Sequence, residues 1–331
     1  MDALGGLSGR SVQFGGRPSG SGTVSGVADV DGRTALVFPG QGAQWIGMGA
    51  RLLDESPVFA ERMAECAAAL EPFVEWSLLD VVRSGADLDR VDVVQPVSFA
   101  VMVSLAAVWQ SAGVRPDAVI GHSQGEIAAA VVAGALTLPD GARVVALRSQ
   151  AIAGSLAGRG AMASVALPVA EVVVPGGVSV AAVNGPRSVV LAGDPQAVQA
   201  LVDSYAEQGV RARMIAVDYA SHSAHVDALE AELAEVLAGL EPRPVSVPML
   251  STLTGEWLEG PELDSGYWFA NLRSPVGFFA AVERLLGERF RAFVEVSSHP
   301  VLTVGVQETI DEADVVAVAA GTLRRDEGDW R

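Results

Sequence analysis

Residues 118–135 constrain this chain more than any other stretch, because they fit one local structure and one kind of chemistry. Residues 118–120 are apolar and predict a buried strand. Residues 121–125 read G-H-S-Q-G, which fits G-x-S-x-G, and an alanine-rich helical pattern follows. A strand, a sharp glycine turn and a helix in this order form a nucleophile elbow, which holds the serine hydroxyl above the sheet. The pattern therefore predicts that Ser123 is a nucleophile; the alternative is a tight turn whose serine only caps the helix.

A second glycine-rich turn precedes the elbow in the chain. The apolar strand at 35–38 is followed by residues 39–44, which read P-G-Q-G-A-Q and lead toward a predicted helix. A dinucleotide-binding fingerprint is a poor interpretation, since Trp45 stands where its third glycine would be. We interpret the turn as a place where the backbone approaches a reacting oxygen. An ordinary turn between a strand and a helix explains the residues equally well.

The composition excludes several classes of protein. The chain has 331 residues and a net charge of -18, so its bulk surface should repel nucleic acid and anionic membranes. All 22 basic residues are arginine, which excludes a lysine Schiff base with pyridoxal phosphate and a Walker-type phosphate loop. An acidic substrate would need local cationic contacts.

Neither a disulfide framework nor a targeting segment is expected. The single cysteine, Cys66, lies in a helical pattern and cannot form a disulfide within the chain. We find no signal peptide and no convincing membrane span, so a soluble cytoplasmic protein is the expectation.

The pattern divides the chain into two subdomains. Residues 1–32 are rich in Gly and Ser and predict a flexible linker. Within 161–217 the order strand, short connection, strand, strand, helix, strand predicts a small ferredoxin-like insertion whose first helix is degenerate. Residues 33–160 and 218–322 should form the larger subdomain, and 323–331 a C-terminal linker.

Helical patterns fill much of the larger subdomain. Pro96 opens an almost wholly apolar stretch, 97–109, which predicts a buried helix. Apolar residues at helical spacing from Val226 to Leu237 predict an amphipathic helix.

A serine nucleophile needs a base, and the chain has 4 histidines. His222 lies in a loop just before a predicted helix and suits that role better than His225, which begins that helix, or His299, which lies in a turn before a proline. His222 and His225 lack the third ligand of a metal site, so we predict no metal. Arg148, on a predicted helix, is either an ordinary salt-bridged residue or a fork that grips a substrate carboxylate.

Taken together, four motifs resemble one family. Residues 38–44, residues 121–126, Arg148 and residues 219–222 (Y-A-S-H) occur in the order found in acyltransferase domains of modular type I polyketide synthases. These domains are relatives of malonyl-CoA:acyl-carrier-protein transacylases, and the resemblance covers roughly residues 33–322. It implies an α/β fold: an α/β-hydrolase-like large subdomain with a central, mostly parallel sheet, plus the inserted ferredoxin-like subdomain.

The resemblance also implies roles for individual residues. Ser123 and His222 would form a dyad with no obligatory aspartate. The backbone N–H groups of Gln41 and Gln124 would form the oxyanion hole, and Arg148 would bind the carboxylate of the acyl group. A further set is expected close to the substrate or the base: His122, Tyr219 and Ser221 beside the substrate, and Asn271 at the place where the family orients its histidine through a backbone carbonyl.

The tetrad at 219–222 is similar to that of methylmalonyl-selective domains, and Gln124 and residues 90–95 point the same way. The implied reaction moves a methylmalonyl unit from coenzyme A to the phosphopantetheine arm of an acyl carrier protein, with no cofactor. Ketosynthase and other synthase domains would be neighbours if the chain is part of a larger one. The alternatives are a serine acyl hydrolase, a malonyl- or ethylmalonyl-selective transacylase, and a non-catalytic docking module.

Overall fold

The computed structural model describes residues 30–327, which form two sheets and the helices that cover them. Within these residues the strands are β1 (Arg33–Phe38), β2 (Ala118–Gly121), β3 (Ala161–Val165), β4 (Val178–Gly185), β5 (Ser188–Gly193), β6 (Ala212–Ile215), β7 (Met249–Leu250), β8 (Trp257–Leu258), β9 (Phe290–Glu295) and β10 (Val318–Gly321). The helices are α1 (Ala50–Glu55), α2 (Pro57–Leu70), α3 (Leu78–Ser84), α4 (Val91–Ser111), α5 (Gly125–Ala133), α6 (Leu138–Ser155), α7 (Pro195–Glu207), α8 (Glu230–Val236), α9 (Ser265–Arg273), α10 (Phe278–Gly287) and α11 (Thr303–Glu312).

The larger sheet has the strand order β10-β9-β1-β2-β7-β8, and each pair is parallel except β7 with β8. Strands buried on both faces are mostly apolar, and residues 35–38 of β1, which are all buried, show this. Leu36 of β1 faces a core built with α2, α4, α5 and α6, whereas Val37 faces one built with α10 and α11. The predicted central parallel sheet is therefore confirmed.

The pairing of β1 with β2 places two loops together. Phe38 lies opposite Gly121, at the carboxyl end of both strands. Loops that follow adjacent parallel strands leave the same edge of the sheet, which is where open α/β sheets bind their ligands. The glycine turn at 39–44 and the elbow therefore emerge side by side.

The smaller sheet is antiparallel and has the order β4-β5-β3-β6, which is the ferredoxin-like arrangement of the predicted insertion. Its first helix is reduced to a 3-10 turn at Val169–Glu171, as the sequence predicts. Strand β4 also pairs outside its own sheet: Val276 donates to the Ala181 carbonyl at 2.9 Å and accepts from the Val183 N–H at 3.0 Å. The small subdomain is thus tied to the large one by main-chain hydrogen bonds.

Helix α4 begins earlier than predicted. Pro96 lies inside the helix instead of opening it, since the chain is already helical from Val91. A proline there forfeits one main-chain hydrogen bond, and the burial of this apolar helix outweighs that loss. By length and composition, α4 is also the one described helix that could cross a membrane, but most of it is buried inside the protein, as in a core helix.

Other elements depart from the predictions. The glycine turn does not lead directly into a helix, because α1 begins only at Ala50. The amphipathic segment starts as a 3-10 turn, Ala224–Leu229, before α8. The predictions for 1–29 and 328–331 lie outside the described residues. Leu323, the first residue of the predicted C-terminal linker, is buried, and its N–H donates to the Ser297 carbonyl.

Gly125 shows how tightly the elbow packs on β1. A Cβ atom at this position would lie 2.1 Å from the Phe38 carbonyl oxygen and 2.5 Å from that of Pro39. These are main-chain atoms, which cannot rotate away. We expect Gly125→Ala to lower the free energy of unfolding by about 1–3 kcal/mol, measured by urea denaturation.

Gly154, on the exposed face of α6, is the matched control because a Cβ atom there would meet nothing within 4 Å. Gly154→Ala should raise the free energy of unfolding by roughly 0.5–1 kcal/mol through helix propensity. Equal effects at both positions would contradict the close approach at Gly125.

Candidate active site

Ser123 occupies a strained turn between β2 and α5. Its φ is 54°, in the left-handed region that residues with a Cβ rarely adopt. Gly121 makes the turn possible, because a Cβ atom there would lie 2.3 Å from the Cα atom of Glu126. This geometry is the predicted nucleophile elbow, and the strain is retained at the residue that would do the chemistry.

His222 is the histidine that meets the serine. Its Nε2 lies 2.8 Å from the Ser123 Oγ, and its Nδ1 lies 2.7 Å from the Ser274 carbonyl oxygen. A carbonyl only accepts, so Nδ1 carries the proton and Nε2 is left to accept from the serine. The N–H of His222 also donates to the Leu272 carbonyl at 2.9 Å. The segment after α9 thus fixes both the main chain and the ring of the base.

The prediction that Asn271 orients His222 is wrong: the carbonyl belongs to Ser274. Ser274 ends α9 in an extended conformation, with ψ at 157°. Pro275 follows it, and a residue before proline is driven out of the helical region. Its carbonyl is therefore turned away from the helix axis and is free to accept from the imidazole.

The base has no acidic partner. Within residues 30–327 no carboxylate hydrogen-bonds to His222; Asp218, the acid nearest in sequence, accepts from the Gly158 N–H at 2.9 Å. Burial of the ring lowers the pKa of His222 to about 3, while its contact with Ser274 opposes the shift. The imidazole is therefore neutral at physiological pH and able to take the serine proton.

Arg148 is fully buried on α6. Its Nη1 donates to the Asn271 Oδ1 at 2.7 Å, whereas its Nε and Nη2 have no partner among the described residues. Burial lowers its pKa to about 10, so the guanidinium stays charged near neutral pH. Unpaired buried donors are costly, and a guanidinium with two of them is able to bind an anion.

Asn271 connects this arginine to the elbow. Its Nδ2 donates to the Glu126 Oε2 at 2.7 Å and reaches the Ser123 carbonyl oxygen at 3.4 Å. Glu126, on α5, is completely buried. Arg148 and the nucleophile are thus separated by a single side chain.

His122 contacts the small subdomain. Its Nε2 lies 2.8 Å from the Oδ1 of Asn184 on β4, and its ring packs edge-on against Phe278. Burial lowers the pKa of His122, so this ring is also neutral. A Cβ atom on Gly40 would lie 3.2 Å from the His122 Nδ1, which shows how closely the glycine turn approaches the elbow.

Tyr219 contacts that glycine turn. Its hydroxyl donates to the Gln41 Oε1 at 2.7 Å, and Gln95 lies 3.5 Å from the same hydroxyl. Burial raises the pKa of Tyr219 to about 12, so it remains a donor. The structure therefore connects the tetrad that contains the base to the loop predicted to hold the oxyanion.

The two predicted oxyanion donors have free N–H groups. No hydrogen bond to another described residue uses the backbone N–H of Gln41 or of Gln124. The Gln124 side chain is buried with both polar atoms unpaired, and Ser221 is buried beside His222. The roles assigned to the other site residues remain predictions.

Three residues of the site were missed, and each has a sequence signal. Ser274 stands before a proline, which predicts an outward carbonyl. Glu126 is the only charged residue in an otherwise apolar helix, which indicates a buried charge that needs partners. Asn184 was predicted to lie in a turn, but β4 extends to Gly185, so Asn184 is a strand residue.

Comparison with known proteins identifies the family of this chain. The sequence profile of the acyl transferase domain matches residues 35–331. The chain belongs to this family. The acyltransferase domain described here is therefore an enzyme that transfers acyl groups, as the motifs predicted.

Its relatives are much longer proteins. The domain is 60% identical over 315 residues to the pikromycin polyketide synthase component PikAII of Streptomyces venezuelae, covering 93% of this chain and 8% of that protein. It is 52% identical over 317 residues to erythronolide synthase EryA2 of Saccharopolyspora erythraea, covering 92% and 9%. The chain thus spans less than a tenth of either relative.

Solved structures share the fold over most of its length. The acyltransferase domain from module 8 of the salinomycin polyketide synthase superposes with a TM-score of 0.88 at 57% identity, covering 90% of this chain and 72% of that one. An acyl carrier protein S-malonyltransferase from Vibrio cholerae superposes with a TM-score of 0.79 at 28% identity, covering 89% and 98%. The predicted α/β fold with its inserted small subdomain is confirmed.

The lowered pKa of His222 predicts the pH dependence of Ser123 reactivity. A free histidine would be half protonated near pH 6.5, but His222 should stay neutral far below that value. The rate at which a fluorophosphonate labels Ser123, followed by intact mass, should therefore remain level from pH 8 to about pH 5. A rate that halves near pH 6.5 would contradict the shift, and Ser123→Ala provides the blank.

Proposed function

We propose that this domain loads a methylmalonyl unit from methylmalonyl-CoA onto the phosphopantetheine arm of an acyl carrier protein, through an ester on Ser123. One observation carries the proposal: the buried guanidinium of Arg148 has two unpaired nitrogens and lies one residue, Asn271, away from the nucleophile. A planar guanidinium grips a carboxylate through two parallel hydrogen bonds. An acyl group with a free carboxylate therefore suits this site better than a plain fatty acyl group.

The first half of the reaction makes the acyl-enzyme. His222 Nε2 accepts the Ser123 proton across the 2.8 Å contact as Oγ attacks the thioester carbon. The tetrahedral intermediate collapses, the C–S bond breaks, and the leaving coenzyme A sulfur takes the proton from the imidazolium. An ester remains on Ser123, and His222 is neutral again.

The second half repeats these steps with a new thiol. The phosphopantetheine thiol gives its proton to His222 and attacks the ester carbon. The Ser123 oxygen then leaves and takes that proton back. The acyl group departs as a thioester of the carrier protein.

The developing oxyanion needs donors that are already in place. The backbone N–H groups of Gln41 and Gln124 have no hydrogen-bond partner within residues 30–327, and Gln124 lies at the N-terminus of α5, where the helix dipole favours negative charge. Losing one such donor typically costs about 3 kcal/mol of transition-state stabilisation. The Tyr219–Gln41 hydrogen bond supports this assignment, because it holds the Gln41 loop close to the base.

Methyl selectivity rests on the small side chains beside the base. Ala220 and Ser221 precede His222, and Ala220 is packed so closely against Gly160 that a Cβ atom on that glycine would lie 2.7 Å from its own. Larger side chains at these positions would reach further toward Ser123, so we expect the small pair to leave room for an α-methyl branch. One methyl group is worth about 1–3 kcal/mol in an apolar pocket, so malonyl and ethylmalonyl units should load more slowly, not be excluded.

The partners follow from the reaction and the relatives. Acyl-CoA donates, a carrier protein accepts, and ketosynthase neighbours are expected where the domain is part of a synthase. The Vibrio cholerae relative, an acyl carrier protein S-malonyltransferase by name, supports the choice of acceptor. No cofactor enters any step, and we place the domain in the cytoplasm, as its composition suggests.

Intact-mass measurement tests the proposal. The domain is mixed with equal amounts of methylmalonyl-, malonyl- and propionyl-CoA, and the mass on Ser123 is read within seconds. Methylmalonyl should predominate and should move to a carrier protein when one is added. Fast release of free acid that ignores the carrier would indicate a hydrolase, whereas no acyl-enzyme, or equal labelling of Ser123→Ala, would exclude catalysis at this serine.

Removal of the guanidinium should alter substrate preference. We expect Arg148→Ala to lower kcat/KM for methylmalonyl-CoA by at least about 10- to 100-fold, which is the value of one charge-assisted hydrogen bond, and to let propionyl units load in competition. Arg143→Ala is the control, because Arg143 is on the same helix but donates to the carbonyl oxygens of Val236 and Ala238. An unchanged preference in Arg148→Ala would contradict the carboxylate site.

A further inference from the structure

Arg148 is a buried cation that has no carboxylate in direct contact. Among the described residues its one side-chain hydrogen bond goes to the neutral amide of Asn271. A buried charge normally needs an opposite charge beside it. The compensating charge must therefore be supplied from further away, or arrive with the substrate.

The orientation of Asn271 shows where that charge lies. A guanidinium can only donate, so the atom of Asn271 that faces Arg148 must be the amide oxygen. The amide nitrogen then faces the opposite way, and it lies 2.7 Å from the Glu126 Oε2. Glu126 must accept this hydrogen bond. The three side chains form one directed series, Arg148 to Asn271 to Glu126.

Glu126 is satisfied as an ionised carboxylate. Its Oε1 accepts from the Thr252 N–H, and its Oε2 accepts from the Tyr267 hydroxyl and from Asn271. The Thr252 hydroxyl lies 2.9 Å from Oε1 and 2.8 Å from the Gly121 carbonyl oxygen, and its single proton can serve only one of them. Burial raises the pKa of Glu126, but the Thr252 N–H, the Tyr267 hydroxyl and the Asn271 amide donate to it and so stabilise the charged form. The carboxylate has no exposure to solvent and no direct role in the proposed reaction.

The amide between the two charges has a consequence for the arginine. If Glu126 contacted Arg148 directly, a bidentate ion pair would occupy the nitrogens that the substrate needs. With Asn271 in between, only Nη1 is held, and Nε and Nη2 remain unpaired. The negative charge still stabilises the buried guanidinium from beyond the amide.

We propose that Glu126 is a positioning residue, which acts through Asn271 to hold and neutralise Arg148 while leaving its binding nitrogens free for the acyl carboxylate. This inference rests on the proposed function, because it assumes that Arg148 binds that carboxylate. Glu126 touches neither the substrate nor the reacting atoms. Its effect should appear in the preference for carboxylated acyl groups.

Glu126→Gln tests the proposal. The Thr252 N–H cannot turn, so the oxygen of the introduced amide must face it and the amide nitrogen faces Asn271. The Asn271 amide must then rotate, which releases Arg148. KM for methylmalonyl-CoA should rise at least about tenfold, and the ratio of kcat/KM for methylmalonyl-CoA to that for propionyl-CoA should fall by about the same factor. A ratio equal to that of the wild type would overturn the proposal.

Tyr267→Phe is the control for a general loss of stability near Glu126. It removes one hydrogen bond from Glu126, and with it the contact to Ser251, but leaves Asn271 and the charge in place. It should lower Tm while keeping the methylmalonyl-to-propionyl ratio within about threefold of the wild-type value. A fall in this ratio as large as that of Glu126→Gln would show that any loss of stability moves the preference, which would overturn the proposal.

The double variant Glu126→Gln/Asn271→Asp separates positioning from folding. The introduced amide at 126 donates to the introduced carboxylate at 271, and the Tyr267 hydroxyl can turn, since its contact with Ser251 permits either donor. Every hydrogen bond of the series is thus restored, but the negative charge now lies directly on Arg148. Tm should recover above that of Glu126→Gln, yet the ratio should stay at least about tenfold below the wild type. A double variant that regains the ratio would overturn the proposal.

Measuring the wild type and Arg148→Ala in the same assay separates a failure of the proposed function from a failure of the role proposed for Glu126. If the wild type shows no preference for methylmalonyl over propionyl, or Arg148→Ala keeps the preference, the proposed function fails. If both behave as proposed and Glu126→Gln keeps the wild-type ratio, only the role of Glu126 fails.

Discussion

The main-chain pairing of β1 with β2 determines where everything else in the site can lie. Phe38 and Gly121 are opposite each other, so the two glycine turns leave the sheet as neighbours. The elbow is pressed onto the end of β1, where its glycines leave no space for a side chain. The serine, the free backbone N–H groups and the start of α5 are consequently fixed by the most buried part of the protein. Rigid placement of this kind costs no reorganisation during the reaction.

Neutral groups, not opposite charges, make the direct hydrogen bonds that hold His222 and Arg148 among the described residues. A main-chain carbonyl orients His222, and a side-chain amide holds Arg148. A carboxylate on His222 would raise its pKa and favour the imidazolium, whereas a carbonyl fixes the tautomer and leaves the base neutral. In both cases a neutral dipole orients the side chain. The Nε2 of His222 stays unprotonated, and two nitrogens of Arg148 stay unpaired among the described residues.

The sequence predicts those features that depend on local pattern. The elbow around Ser123 and the apolar strands needed only neighbouring residues to be recognised, and so did the four-stranded insertion. Features that depend on distant segments were not predictable. The carbonyl that meets His222 belongs to Ser274 and not Asn271, because the path of the main chain beyond α9 decides which group faces the ring. Strand β10 was missed since its alanines and glycine are individually poor strand formers, and pairing with β9 overrides that preference.

Strand β4 contacts the candidate active site at two places. Asn184 contacts His122, the residue before the nucleophile, and the pairing of β4 with Val276 anchors the segment whose carbonyl orients the base. The border between the subdomains therefore runs through the candidate active site. A chimera that took only the insertion from a relative would replace the β4 residues that contact His122 and Val276. An exchange of acyl preference is therefore best made by moving both subdomains as one unit.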